Sequence, residues 1–258
     1  MSDKQHIILA SPPADIARAA AFGLPVAHMA YRIGENGRLY RSEVPISLAG
    51  GLMLLDGTDF DGSGDPAPLC REVIRECAAR KFDGILCDFD RVPTPFLEQT
   101  VAQLGTLANQ RGWNLYTTEP YAAHAKNGFV LIPTALASGS LEVRLKNAAE
   151  QYGAERITLA VQRSAREFLL PASGGFGRDL DRSELAELIR RFSPAVFFDR
   201  NLCTHYFTYM DGNSAHFVLF DDSGSLLRKL ALARQFGIGR TVFVFPEVED
   251  ILTRLLSE

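Results

Sequence analysis

Residues 82–90 read Phe82-Asp83-Gly84-Ile85-Leu86-Cys87-Asp88-Phe89-Asp90, a short apolar run that ends on two carboxylates. Side chains alternate faces along a strand, so Gly84, Leu86, Asp88 and Asp90 share one side. Asp83, Ile85, Cys87 and Phe89 share the other, which is expected to pack against helices. Asp88 and Asp90 would then point into a barrel at the carboxyl ends of its strands, where barrel enzymes carry their chemistry. Two close carboxylates do not both ionise readily, so one of them is expected to have a raised pKa suited to general-acid work. A competing reading makes Asp90 a helix N-cap ahead of Pro93 and a helix over 95–111. It accounts for Asp90 and leaves Asp88 unexplained.

Working outward, short apolar runs alternate with amphipathic stretches along the chain. Strands are predicted at 6–10, 26–32, 51–55, 82–89, 113–118, 129–133, 156–161 and 241–245, each bounded by Gly, Pro, Asp or Asn. Between most of them lie helical patterns, at 68–80, 95–111, 141–152, 183–192, 225–236 and 247–256. In the first of these, Leu69, Val73 and Cys77 recur at i, i+4 and i+8, with Pro68 in the first turn. Strands alternating with helices predict a (β/α)8 TIM barrel, in the α/β class, occupying residues 1–258 as one domain. The runner-up, an open doubly wound sheet, usually has a Gly-rich loop after strand one, and Ala10-Ser11-Pro12-Pro13 is no such loop. Region 194–222 breaks the alternation with three strand-like runs, two of them joined across Asp211-Gly212-Asn213. It reads as a small β excursion before the last βα unit.

Composition narrows the function classes. With 47% hydrophobic and 22% charged residues, the chain affords a large core, and a net charge of −4 gives no electrostatic case for nucleic acid or for an anionic membrane. The run Ile7–Ala10 is too short for a signal-peptide core, so a cytoplasmic location is expected. No segment approaches the ~18 apolar residues of a membrane span. Cys70, Cys77, Cys87 and Cys203 show no metal-binding spacing and read as buried free thiols. Cys70 and Cys77, roughly 10.5 Å apart along a helix axis, are too distant for a disulfide. The loop Ser173-Gly174-Gly175-Phe176-Gly177 follows no phosphate-loop pattern and reads as a flexible surface turn.

Segment 82–90 resembles the catalytic strand of glycoside hydrolase family 18, whose pattern is Phe-Asp-Gly-x-Asp-x-Asp-x-Glu with x apolar. The C-terminal third is similar to the ending of the family's compact spore-cortex and LysM-associated members. The matching positions are Phe198-Asp199, Phe207, Tyr209, His216, Val218, Phe220, Asp221, Asp222, Ser225, Lys229 and Gly237. Val26 to Leu39, with Gly37 in a turn, also resembles the family's second strand. The resemblance implies the barrel fold and makes His216 structural.

The departures fall on the chemical machinery. Where the family places the Glu that protonates the glycosidic oxygen, this chain has Asp90, shorter by one methylene. Such a retraction costs reach in a step that depends on hydrogen-bond geometry. The family's middle Asp is Leu86, whereas the Asp that steadies the substrate's N-acetyl group is kept as Asp88. On the sixth strand, Val130-Leu131-Ile132-Pro133-Thr134-Ala135 lacks the family's Met-x-Tyr-Asp. The Trp expected beneath the sugar on the last strand is absent, with Phe243 or Phe245 as its stand-in. Trp113, the only Trp, is expected at the barrel bottom.

The resulting candidates are Asp88 and Asp90 for catalysis, and Asp56, Glu119, Thr134, Gln162, Arg163, Phe243 and Phe245 for substrate binding. Glu119 is the candidate replacement acid for the shortened Asp90, and Arg163 either binds a polar or acidic sugar or pairs with a rim carboxylate. The rim acids offer hard oxygen ligands for Mg2+ or Ca2+, but Asp59 and Asp61 read better as solvated loop residues, and no cofactor or metal is expected. The expected partner is a glycan containing N-acetylglucosamine, of peptidoglycan or chitin type, with hydrolysis weak, altered or lost. The other reading is a non-catalytic barrel kept for binding or assembly, with a link to sporulation and the spore.

Overall fold

In the computed structural model the described residues are 6–46, 48–60, 62–90, 92–171 and 177–257. Asp61 and residues 173–176 of the Gly-rich loop lie outside them. Eight parallel strands run His6–Ser11, Val26–Ile33, Leu52–Asp56, Gly84–Asp88, Asn114–Thr118, Phe129–Pro133, Ile157–Val161 and Arg240–Val244. Each pairs with its neighbours in chain order, and the first pairs with both the second and the eighth, which closes the barrel.

Alternation along these strands separates two layers of core. Ile8, Ala10, Ala27, Leu52, Leu54, Leu86, Tyr116, Leu131 and Val242 fill the barrel interior. Ile85 and Cys87 face outward onto the helices Ala67–Arg80 and Pro95–Asn109. Ile7, Leu9, Ile132, Leu159 and Phe243 do the same on the opposite side. With each buried Leu, Ile or Phe contributing about 1.5–3 kcal/mol, this two-layer burial is the main stabilising term. The helices start where the local chemistry dictates. Thr94 accepts from the Leu97 N–H, Ser140 caps Leu141–Tyr152, and Asp222 with Ser225 forms a capping box for Ser223–Gln235. All four cysteines are buried free thiols, and no described helix is long and apolar enough to cross a membrane.

Three connections depart from the simple repeat. A hairpin strand, Leu39–Arg41, pairs antiparallel with strand two in place of a helix. A 3-10 turn, Glu119–His124, follows strand five. The pattern read as one helix over 247–256 is two short ones, Phe245–Val248 and Leu252–Leu256.

The excursion is larger than the sequence reading and starts earlier, at Ala165. Five antiparallel strands are ordered Arg178–Asp179, Ala165–Leu170, Ser214–Phe220, Thr204–Asp211 and Phe197–Asp199. The helix Arg182–Phe192 covers one face through Leu185, Leu188, Ile189 and Phe192. A buried carboxylate ties this sheet to the barrel. Asp221 accepts from Lys229 Nζ at 2.8 Å and from the hydroxyls of Ser164, Thr204 and Ser225 at 3.1, 3.2 and 2.8 Å. Both charged side chains are almost completely excluded from solvent. A buried ion pair is tolerable only when its remaining lone pairs are satisfied, and here three hydroxyls satisfy them. His216 is structural in the same sheet, stacked on Tyr209 with Nδ1 3.0 Å from Glu167.

Candidate functional site

Strand register assembles a row of side chains at the barrel's carboxyl rim. Tyr40 pairs with Arg32, Arg32 with Asp56, and Asp56 with Asp88 on four adjacent strands. At about 4.8 Å between strands, the row spans about 14 Å. These four residues line one cleft of about 480 Å³, together with Met29, Tyr31, Ser42, Glu43, Val44, Leu54 and Thr58.

The Asp88 carboxylate lines this cleft and makes no hydrogen bond or ion pair with any described residue. Leu86, from the position where the family has an Asp, is buried in the barrel interior one step below it. Burial, with added repulsion from Asp56 and Asp90, pushes the Asp88 carboxyl up to about 6. The main chain around it is held. The Gly57 N–H donates to the Asp88 carbonyl at 3.2 Å, and the Thr118 hydroxyl donates to the Phe89 carbonyl at 2.9 Å. Gly57 has no room for a side chain, since a Cβ there would lie 2.5 Å from the Phe89 ring. Phe89 is thereby locked edge-on against Tyr121, and Asp88 is aimed into the cleft. Asp56 accepts from the Thr58 N–H at 2.8 Å.

The raised carboxyl expected of the pair is therefore Asp88. Asp90 lies beyond the strand end and is exposed, outside the residues lining the cleft. It does not cap the next helix, because Thr94 does.

The other candidates are dispersed. Glu119 turns away from the cleft and forms a two-pronged ion pair with Arg144 on the helix Leu141–Tyr152. Arg163 takes its alternative role, donating to Asp250 at 2.9 Å, while its backbone N–H donates to Glu247. Gln162 is exposed beside a separate cavity of about 110 Å³ between the barrel and the inserted sheet. Thr134 is fully buried. Phe243 and Phe245 require a correction. Both are 0% exposed in the helix-facing layer, where no sugar can stack on them. The inward positions on that strand are Val242 and its alternate, Val244. Asp59 is an exposed loop residue, Trp113 is half-buried at the amino end of strand five, and no metal-holding group of His, Cys, Asp and Glu occurs among the described residues.

The sequence reading missed Arg32 and Tyr40. The signal was the Asn36-Gly37 turn between apolar runs, which marks a hairpin and would have brought both residues onto the rim.

No protein-family model matches the chain, and no curated protein does. Solved structures do resemble it. A chitinase from Chromobacterium violaceum is 16% identical with a TM-score of 0.76, over 98% of both chains. The spore cortex-lytic enzyme SleL from Bacillus cereus is 17% identical with a TM-score of 0.75, over 98% of this chain and 73% of that one. A GH18 chitinase from Cycas revoluta, in complex with (GlcNAc)3, is 14% identical with a TM-score of 0.67, over 97% and 98%. The chain thus has the fold of the family 18 glycoside hydrolases, shared with chitinases and spore cortex-lytic enzymes along almost its whole length.

Proposed function

We propose that this protein binds a glycan containing N-acetylglucosamine, of chitin or peptidoglycan type, across the rim of strands two to four, with hydrolysis weak or lost. The observation that carries the reading is Asp88, an unpaired carboxyl aimed into the 480 Å³ cleft with its pKa pushed up to about 6. Near that pH it is partly protonated and can both donate and accept, which suits an acetamido group or a sugar hydroxyl. Met29, Tyr40 and Val44 supply apolar and aromatic surface for the C–H faces of the sugar. A cytoplasmic or spore-associated location belongs to the same proposal, and cell fractionation tests it.

The non-catalytic reading is favoured over ordinary chitinase activity by the acid position. Asp90 is one methylene short and outside the cleft lining, and no aromatic ring of the last strand faces the sugar. The test is an assay on N-acetylglucosamine oligomers and spore-cortex fragments with wild type, Asp90→Asn, Asp90→Glu and Asp88→Asn. Binding without turnover, weakened in Asp88→Asn, is the expected result. Turnover in wild type that disappears in Asp90→Asn would establish a glycosidase instead. Absence of both binding and turnover overturns the glycan reading.

A further inference from the structure

The rim row is electrically lopsided. Asp56 and Asp88 occupy one end, and Arg32 stands two strands from Asp88, about 10 Å away at the usual strand spacing. Arg32 forms no ion pair with any described residue, although Asp56 is its register neighbour. Its guanidinium carbon instead lies 4.4 Å from the centroid of the Tyr40 ring. Stacking on a ring engages the flat face of the guanidinium and leaves the N–H fork along its edge free. That edge belongs to a side chain lining the same cleft as Asp88. An exposed arginine lying over an aromatic ring, with no ion-pair partner among the described residues, is available to a planar two-oxygen acceptor.

We infer that Arg32 is a specificity-determining residue that receives a carboxylate on the bound glycan. The preferred ligand is then an acidic amino-sugar polymer, with a carboxylate-bearing sugar at Arg32 and a neutral N-acetylated sugar at Asp88. This inference rests on the glycan reading above. Uncharged chitin-type chains leave the fork with water, whereas a lactyl ether or similar acidic substituent fills it. The opposite charges at the two ends of the row also fix the direction in which such a chain lies. Glu43 lines the cleft as well and repels an incoming carboxylate, so it works against Arg32. Asp56 does so from the neighbouring strand.

The experiment is calorimetric binding of three probes. They are oligosaccharides alternating N-acetylglucosamine with N-acetylmuramic acid, the same chains with the carboxylate converted to its methyl ester, and N-acetylglucosamine oligomers. Wild type is expected to prefer the free acid over its ester by about tenfold, or about 1.4 kcal/mol, and the preference should shrink at high salt. Arg32→Gln should erase the preference, so that acid and ester bind this variant alike. Arg32→Lys should retain part of it, since an ammonium keeps the charge but lacks the fork. Glu43→Gln should enlarge it. Arg32 is exposed, and circular dichroism of each variant checks that it is folded. Equal binding of acid and ester by wild type, or an undiminished preference in Arg32→Gln, overturns the inference while the glycan reading stands. Failure of all three probes to bind overturns both.

Discussion

At the carboxyl ends of strands five and seven, and at the end of the inserted sheet, the charged side chains are paired. Glu119 meets Arg144, Arg163 meets Asp250, and Asp221 meets Lys229. At strands two to four, Arg32, Asp56 and Asp88 stand side by side in register without pairing. The first group joins elements: barrel to helix, barrel to C-terminal segment, inserted sheet to the helix Ser223–Gln235. The second joins nothing, and one member carries a pKa far from its ordinary value. An unfavourable electrostatic arrangement that the fold holds in place, in a cleft, marks a ligand site more sharply than residue type alone. The rim thus divides into a half that holds the structure and a half that is free to meet a ligand.

That division can be broken most forcefully at Lys229. Lys229→Ala leaves Asp221 as an uncompensated buried charge, and denaturant unfolding should show a loss of about 3–5 kcal/mol. A loss below about 1 kcal/mol would mean that the three hydroxyls suffice and that the pair holds nothing. On the open half the sign reverses. The folded Asp88 carboxyl binds its proton more tightly than the unfolded chain does, so ionising it costs stability as pH rises from about 4 to about 6. Asp88→Asn should therefore stabilise the protein at pH 7 by up to about 3 kcal/mol, an upper bound because solvent reaches the cleft. The gain should vanish at pH 4, and equal stabilities across this range would show that Asp88 is not strained. The smallest effect belongs to Arg163→Ala. Its partner Asp250 is half exposed, so the loss should stay below about 1 kcal/mol in thermal unfolding, and glycan binding should be unchanged.

The barrel was legible because its strands are short apolar runs punctuated by Gly, Pro and Asp. All eight were located within a residue or two. Ala165–Leu170 was not, because a half-exposed antiparallel strand carrying Arg166 and Glu167 has no such run. Within the site, Asp88 was readable from strand parity, since the interior sequence Gly84, Leu86, Asp88 turns polar only at its end. Parity failed on the last strand. Thr241-Val242-Phe243-Val244 is apolar on both faces, so nothing local says that the valines point inward and the phenylalanine outward.

The sequence alone determined the repeating architecture, the burial of the fourth strand and the place of Asp88 at its end. Local hydrophobic periodicity and turn chemistry suffice for these, because each is a property of a few consecutive residues. Only the tertiary structure decided that Tyr40, Arg32, Asp56 and Asp88 form one row, and that Arg32 rests on a ring two strands from the unpaired Asp88. It also decided that Glu119 and Arg163 are committed elsewhere. Pairing between strands far apart in the chain depends on register, and register is set by the packing of the closed barrel as a whole.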